Sequence, residues 1–113
     1  MRTKKPWGYE ELIIKTNKYA MKLIHVEAGK RLSLQYHNIK EETMYIINGE
    51  GEFTCGPLTL RKIKGAHIHI VPMEIHRVKA LSDLDIMECS TPELDDVVRL
   101  EDDYGRVSKK EAI

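Results

Sequence analysis

Short runs in which apolar and polar residues alternate with period two fill the middle of the chain. Arg31 to His37 is the clearest. Leu32, Leu34 and Tyr36 fall on one side, Arg31, Ser33, Gln35 and His37 on the other. That predicts a strand with one apolar face and one face of functional groups. Further strands are predicted over Tyr19–Val26, Glu42–Asn48, Glu52–Cys55, Leu58–Ile63, His67–Val71, Ile75–Leu81 and Leu84–Ser90. Turn residues punctuate them at Ala28-Gly29, Asn48-Gly49, Gly56-Pro57, Lys64-Gly65 and Ser82-Asp83. Some seven or eight short strands with tight connections, and no long helical period among them, indicate an all-β sandwich or barrel. The stretch from Pro92 to Arg106 is acidic and less regular, with a short helical turn expected near Glu93–Val98. Val107–Ile113 is expected to fray.

The 113 residues suffice for one domain, expected over 1–113. Its core would run from about residue 19 to about 90, with an N-terminal arm over 1–18 and a C-terminal segment over 91–113. Eighteen basic residues balance eighteen acidic ones. Such a chain carries no global electrostatic footprint for nucleic acid or an anionic membrane, and neither is expected as a partner. Two cysteines, Cys55 and Cys89, are too few for a disulfide framework and read as free thiols. The basic start is not followed by an apolar segment, so no secretory signal is read and a cytoplasmic location is expected.

Chemistry concentrates in Gln35, His37, Glu42 and His76. Gln35 and His37 leave the same strand face, and Glu42 opens the next strand after a short polar link. His76 lies on a later strand, just beyond Pro72. Two imidazoles, one carboxylate and one amide oxygen suit a single divalent ion of borderline softness: zinc first, with manganese, iron, cobalt or nickel as alternatives. Such a set leaves positions open for substrate oxygens, as a Lewis-acid site requires.

Glycines frame these residues: Gly29 before Gln35-Tyr36-His37, Gly49 after Glu42, and Gly65 ahead of His76. The arrangement resembles the two cupin motifs, with Gln35 where histidine is usual and Met73 where glycine is usual. A narrower resemblance covers most of the chain. Lys5-Pro6-Trp7-Gly8-Tyr9-Glu10-Glu11-Leu12, then Gly29-Lys30-Arg31-Leu32-Ser33-Leu34-Gln35, then Val98-Arg99-Leu100-Glu101-Asp102-Asp103-Tyr104-Gly105-Arg106 occur in order. They are similar to blocks of the cupin domain of type II mannose-6-phosphate isomerases. In many relatives that domain follows a mannose-1-phosphate guanylyltransferase domain. Nothing in these residues resembles the latter, so a stand-alone cupin jelly roll is expected. The family often carries further histidines after the position of His37 and an aromatic pair after that of Glu42. Here Asn38 and Thr43-Met44 stand there.

The resemblance implies metal ligands Gln35, His37, Glu42 and His76, and an arginine, Arg106, facing the phosphate or the reacting carbons. It implies interconversion of mannose 6-phosphate and fructose 6-phosphate through a metal-stabilised enediolate. A base must shuttle the proton. His67, His69 and Glu88, on strand faces expected near the metal, are the candidates. Arg31, sharing the face of Gln35 and His37, is expected to bind substrate phosphate with Arg106, and Lys22 to assist. The alternative is a non-catalytic module binding a metal and a sugar or nucleotide-sugar. An iron dioxygenase is disfavoured because the common cupin iron site uses three histidines, and Gln35 replaces one. The phosphorylated sugar or nucleotide-sugar would be the ligand. A homodimer is expected from sheet edges and the Leu32/Leu34/Tyr36 face.

Overall fold

The computed structural model describes residues 2–108. Within them the chain forms eleven strands and no helix: β1 (Arg2–Lys5), β2 (Gly8–Lys15), β3 (Ala20–Val26), β4 (Leu34–Tyr36), β5 (Glu42–Asn48), β6 (Glu50–Cys55), β7 (Leu58–Ile63), β8 (His67–Ile70), β9 (His76–Ala80), β10 (Leu84–Ser90) and β11 (Val98–Glu101). They pair antiparallel in two sheets. One has the order β1-β2-β3-β10-β5-β8, the other β11-β4-β9-β6-β7. The alternation read from the sequence is the alternation of burial. Met44 and Ile46 of β5, Ile24 and Val26 of β3, Leu84 and Ile86 of β10, and Val78 and Ala80 of β9 all point into one core. Burying such side chains contributes about 1.5–3 kcal/mol each before the entropy of ordering is subtracted.

The inward rows change character along the strands. Ile86 faces Ile24 and Ile46 across the sheet, but two residues on, Glu88 faces Lys22 and Met44, and then Ser90 faces Ala20 and Glu42. In the other sheet the inward row Ala80, Val78, His76 makes the same transition. One half of the interior is hydrocarbon and the other half is ionisable. Two backbone features hold the ends of this frame. Gly49 turns β5 into β6 at φ 90°, where a Cβ would sit 2.1 Å from the Asp83 carbonyl oxygen. Met73 occupies the left-handed region at φ 71°, in the position where a glycine was expected from the motif.

Several expectations are corrected here. The N-terminal arm is not an appendage: β1 and β2 extend the six-stranded sheet, and Trp7 is buried in the core with its carbonyl accepting from Glu27 N at 2.9 Å. The Arg31–His37 strand shrinks to Leu34–Tyr36, because Leu32 and Ser33 are both buried and break the alternation. Leu32 therefore belongs to the core and not to an outer apolar face with Leu34 and Tyr36. No helical turn forms at Glu93–Val98. Isolated turns (Leu94 N to Pro92 O, Asp96 N to Glu93 O) lead straight into β11, where the β-branched Val98 opens a strand. Ser108 N donates to Arg99 O at 3.0 Å and Ser108 Oγ accepts from Arg99 N at 2.9 Å, so this end of the expected frayed tail is held. Lys109–Ile113 lie outside the described residues.

Candidate metal centre and its cavity

His37, Glu42 and His76 meet in the ionisable half of the interior, each at most 2% exposed. One ligand atom from each lies within 4.8 Å of the others, the only such group of three among the described residues. Glu42 comes from the six-stranded sheet. His76, on β9, and His37, just past β4, come from the five-stranded one. The centre thus bridges the two sheets. Gln35 pairs with His76 in the β4–β9 register and lines the same cavity, its Oε1 accepting from Ser33 Oγ at 3.1 Å.

Both rings are pinned through Nδ1. A carbonyl oxygen only accepts, so His37 Nδ1 donates to Asp96 O at 2.6 Å and His76 Nδ1 donates to Glu74 O at 2.9 Å. This turns Nε2 of each ring toward Glu42 Oε1, 3.2 Å from both. Three atoms of metal-ligand type converge, and His76 Nε2 is buried without a hydrogen bond, while the other oxygen of Glu42 faces Lys40. A buried polar atom without a partner is costly, and a divalent cation would satisfy the converging atoms at once. The residues therefore fit a metal, held by His37, His76 and Glu42, with the Gln35 amide beside them.

The loop between His37 and Glu42 is fixed by one carboxylate. Asp96 accepts from the backbone of Asn38 (3.0 Å), Ile39 (2.6 Å) and Lys40 (2.9 Å). Its desolvation works against ionisation, but these donors prevail and hold its pKa down at about 2. The same residue thus sets the loop with its side chain and the His37 tautomer with its carbonyl.

Lys40, 5% exposed, lies between two buried acids, 3.1 Å from Glu42 Oε2 and 3.3 Å from Glu88 Oε2. Burial disfavours its charge, yet Glu88 and Glu42 more than offset this and raise its pKa. Burial and the adjacent Glu42 push the Glu88 carboxyl up to about 8, against the pull of Lys40 and Lys22. Burial also works against the charge of Glu42. Glu88, the two imidazoles and Lys40 outweigh it and hold Glu42 well below the usual carboxylate range. A cavity of about 490 Å³ opens beside this cluster. Trp7, Leu32 and Met44 supply apolar wall; Lys5, Lys22, Lys40, Arg99 and Arg106 supply positive charge.

The other site residues expected from the sequence divide. Glu88, Lys22 and Arg106 line the cavity. Lys22 Nζ is 3.3 Å from Glu10 Oε1. Arg106 grips the fully buried Asp102 carboxylate with two guanidinium bonds of 2.8 and 3.1 Å. Arg31 does not reach the cavity. With Leu32 turned inward, Arg31 points away and pairs with Asp103 at 2.7 and 2.8 Å. His67 and His69 are not near the centre either, because Ile68 and Ile70 take the inward positions of β8. His69 instead meets Thr43 Oγ1 at 2.8 Å and Glu41 at 2.7 Å on the outer face. Lys40, Asp96 and Arg99 are participants that sequence reasoning missed. Their one signal was position: two lie in blocks flanking the ligands, and all are charges in stretches that read as solvated.

A two-sheet jelly roll that gathers two histidines and a glutamate in its interior is a cupin. Solved structures agree: KdgF from Halomonas superposes with a TM-score of 0.79 at 15% identity, covering 84% of this chain and 88% of that one. An RmlC-like cupin from Desulfovibrio desulfuricans gives 0.66 at 26% identity, covering 74% and 80%. The chain belongs to the mannose-6-phosphate isomerase C-terminal family, which it matches over residues 1–102. Among curated proteins it is similar to the alginate biosynthesis protein AlgA of Pseudomonas aeruginosa, 29% identical over 110 residues and 93% of this chain. The chain spans about 23% of the length of that relative.

Proposed function

We propose that the protein is a metal-dependent sugar-phosphate isomerase that interconverts mannose 6-phosphate and fructose 6-phosphate. The observation that carries this reading is the convergence of ligand atoms of His37, His76 and Glu42 beside a cavity lined by several cations. Family membership supports the substrate class. Zinc suits the donor set best, and manganese, iron, cobalt and nickel share it. When bound, the ion supplies Lewis acidity toward the carbonyl and hydroxyl oxygens of the sugar. The chain does the rest. Trp7, Leu32 and Met44 restrict water around the reacting carbons. Glu88, which lines the cavity beside the ligands, carries the proton between C1 and C2. Lys40 keeps Glu88 and Glu42 together in one buried cluster. Arg106 and Lys22 face the ligand from the cavity wall.

The test is an NMR time course in D2O with mannose 6-phosphate and protein loaded in turn with zinc, manganese and cobalt. Metal-dependent appearance of fructose 6-phosphate is expected. Stoichiometric metal with no conversion and no deuterium at C2 would overturn the isomerase reading and leave a binding module.

A further inference from the structure

The cavity holds one cation whose job the centre does not explain. Arg99 pairs with Gln35 in the β11–β4 register, so its side chain shares the cavity-facing side of that strand pair. The register shifts between Arg99 and Glu101, a bulge of the kind that re-aims a side chain. Arg99 lines the cavity, and its Nε is buried without a hydrogen-bond partner. Among the described residues no carboxylate pairs with its guanidinium, although the five other arginines are paired: Arg2 with Glu11, Arg31 with Asp103, Arg61 with Glu50, Arg77 with Glu101 and Arg106 with Asp102. A buried guanidinium donor left unmade is expensive, and a planar fork of donors matches an anion with several oxygens.

The cavity wall carries both signs of charge, with Glu10, Glu88 and Asp95 as its acids. Lys5 and Lys22 reach into the same cavity and share the carboxylate of Glu10, at 3.6 and 3.3 Å, and Lys22 also faces Glu88 across the sheet. We infer that Arg99, with Lys22 and Lys5 across the cavity, forms the subsite for the anionic group of the ligand, a phosphate ester. Arg31 is spent outside the cavity, and the Arg106 fork is already filled by Asp102. This inference rests on the reading of a phosphorylated ligand and names the residues that recognise it.

The test is direct binding to the metal-loaded protein, using inorganic phosphate, mannose 6-phosphate and mannose as probes, by calorimetry and 31P NMR. Arg99→Gln is expected to weaken inorganic phosphate and mannose 6-phosphate by about tenfold or more, and to leave mannose unchanged. Arg99→Lys is expected to retain an intermediate affinity, and Arg61→Gln, a surface control, to change nothing. Should Arg99→Gln fail to fold, the Nε–H resonance of Arg99 in the unaltered chain must still move on adding inorganic phosphate. Phosphate affinity that ignores Arg99, or equal affinity for mannose and mannose 6-phosphate, overturns the inference. Arg99-dependent phosphate binding without conversion of mannose 6-phosphate upholds it while the isomerase reading falls. Conversion in Arg99→Gln with unchanged KM overturns it while that reading stands.

Discussion

Two histidine pairs occupy this molecule, and only one is built for a metal. His67 and His69 are the more suggestive in sequence, two apart on one strand with Thr43 and Glu41 for neighbours. His37 and His76 are thirty-nine positions apart in the chain. Yet the distant pair is buried, with each Nδ1 held by a backbone carbonyl and each Nε2 aimed at one carboxylate. The adjacent pair lies on the outer face of β8, where water competes for every donor and acceptor. The lesson is that strand parity decides before residue type does. Inward isoleucines at 68 and 70 send both flanking histidines out, whereas an inward His76 follows in the row of Val78 and Ala80.

The contrast is broken first at the rings themselves. His37→Ala or His76→Ala should abolish stoichiometric metal, measured by elemental analysis of the purified protein, while His67→Ala and His69→Ala should keep it. Full metal in His76→Ala would dismantle the centre as described. Next is the buried cation. Lys40→Met strands Glu42 against Glu88 and should cost about 3 kcal/mol in chemical denaturation. Glu41→Gln, which loses an exposed partner of His69, should cost well under about 1 kcal/mol.

A smaller effect is expected at Asp96. Asp96→Ala removes the acceptor for three backbone donors and should cost about 1.5 kcal/mol, moderated by solvent at its edge. Because it also sets the loop that carries His37, metal affinity should fall about 10–100-fold by calorimetry. Asp96 has a folded-state pKa lowered to about 2 from 3.8. Its stabilisation is therefore complete above the unfolded value and disappears as pH falls from about 4 to about 2. Asp96→Asn should flatten that part of the stability profile, and an unchanged acid limb would exclude Asp96 as its source. The smallest effect has the opposite sign. Met73→Gly relieves a left-handed residue and should stabilise by up to about 1 kcal/mol in thermal melts, with metal content unchanged.

The strands of the barrel were legible because their inward positions are apolar at every second residue, as in Met44-Ile46 and Ile86-Leu84. Glu42 and His76 sit on that same inward parity, His37 on the face opposite Leu34 and Tyr36, and the departure at Met73 was visible as well. The arm was not. In β2, Leu12, Ile13 and Ile14 are consecutive and all exposed, so no period marks the strand. Arg31 was misplaced by an alternation that fails at Leu32-Ser33, where two neighbours turn inward together. Lys40, Asp96 and Arg99 stayed hidden for a different reason. A charge is read as solvated until its partners, here dozens of residues away, are folded against it.

The seam position of the centre has a consequence for the history of such a chain. Glu42 belongs to one sheet and the two histidines to the other, so an ion among them would act as a clasp. Separating the sheets would mean releasing it, and occupancy would raise the melting temperature with the logarithm of free ion over its dissociation constant. A descendant under no selection for chemistry would still be under pressure to keep such a clasp closed. Ligand retention alone, in relatives of this chain, therefore measures selection on folding as much as selection on turnover.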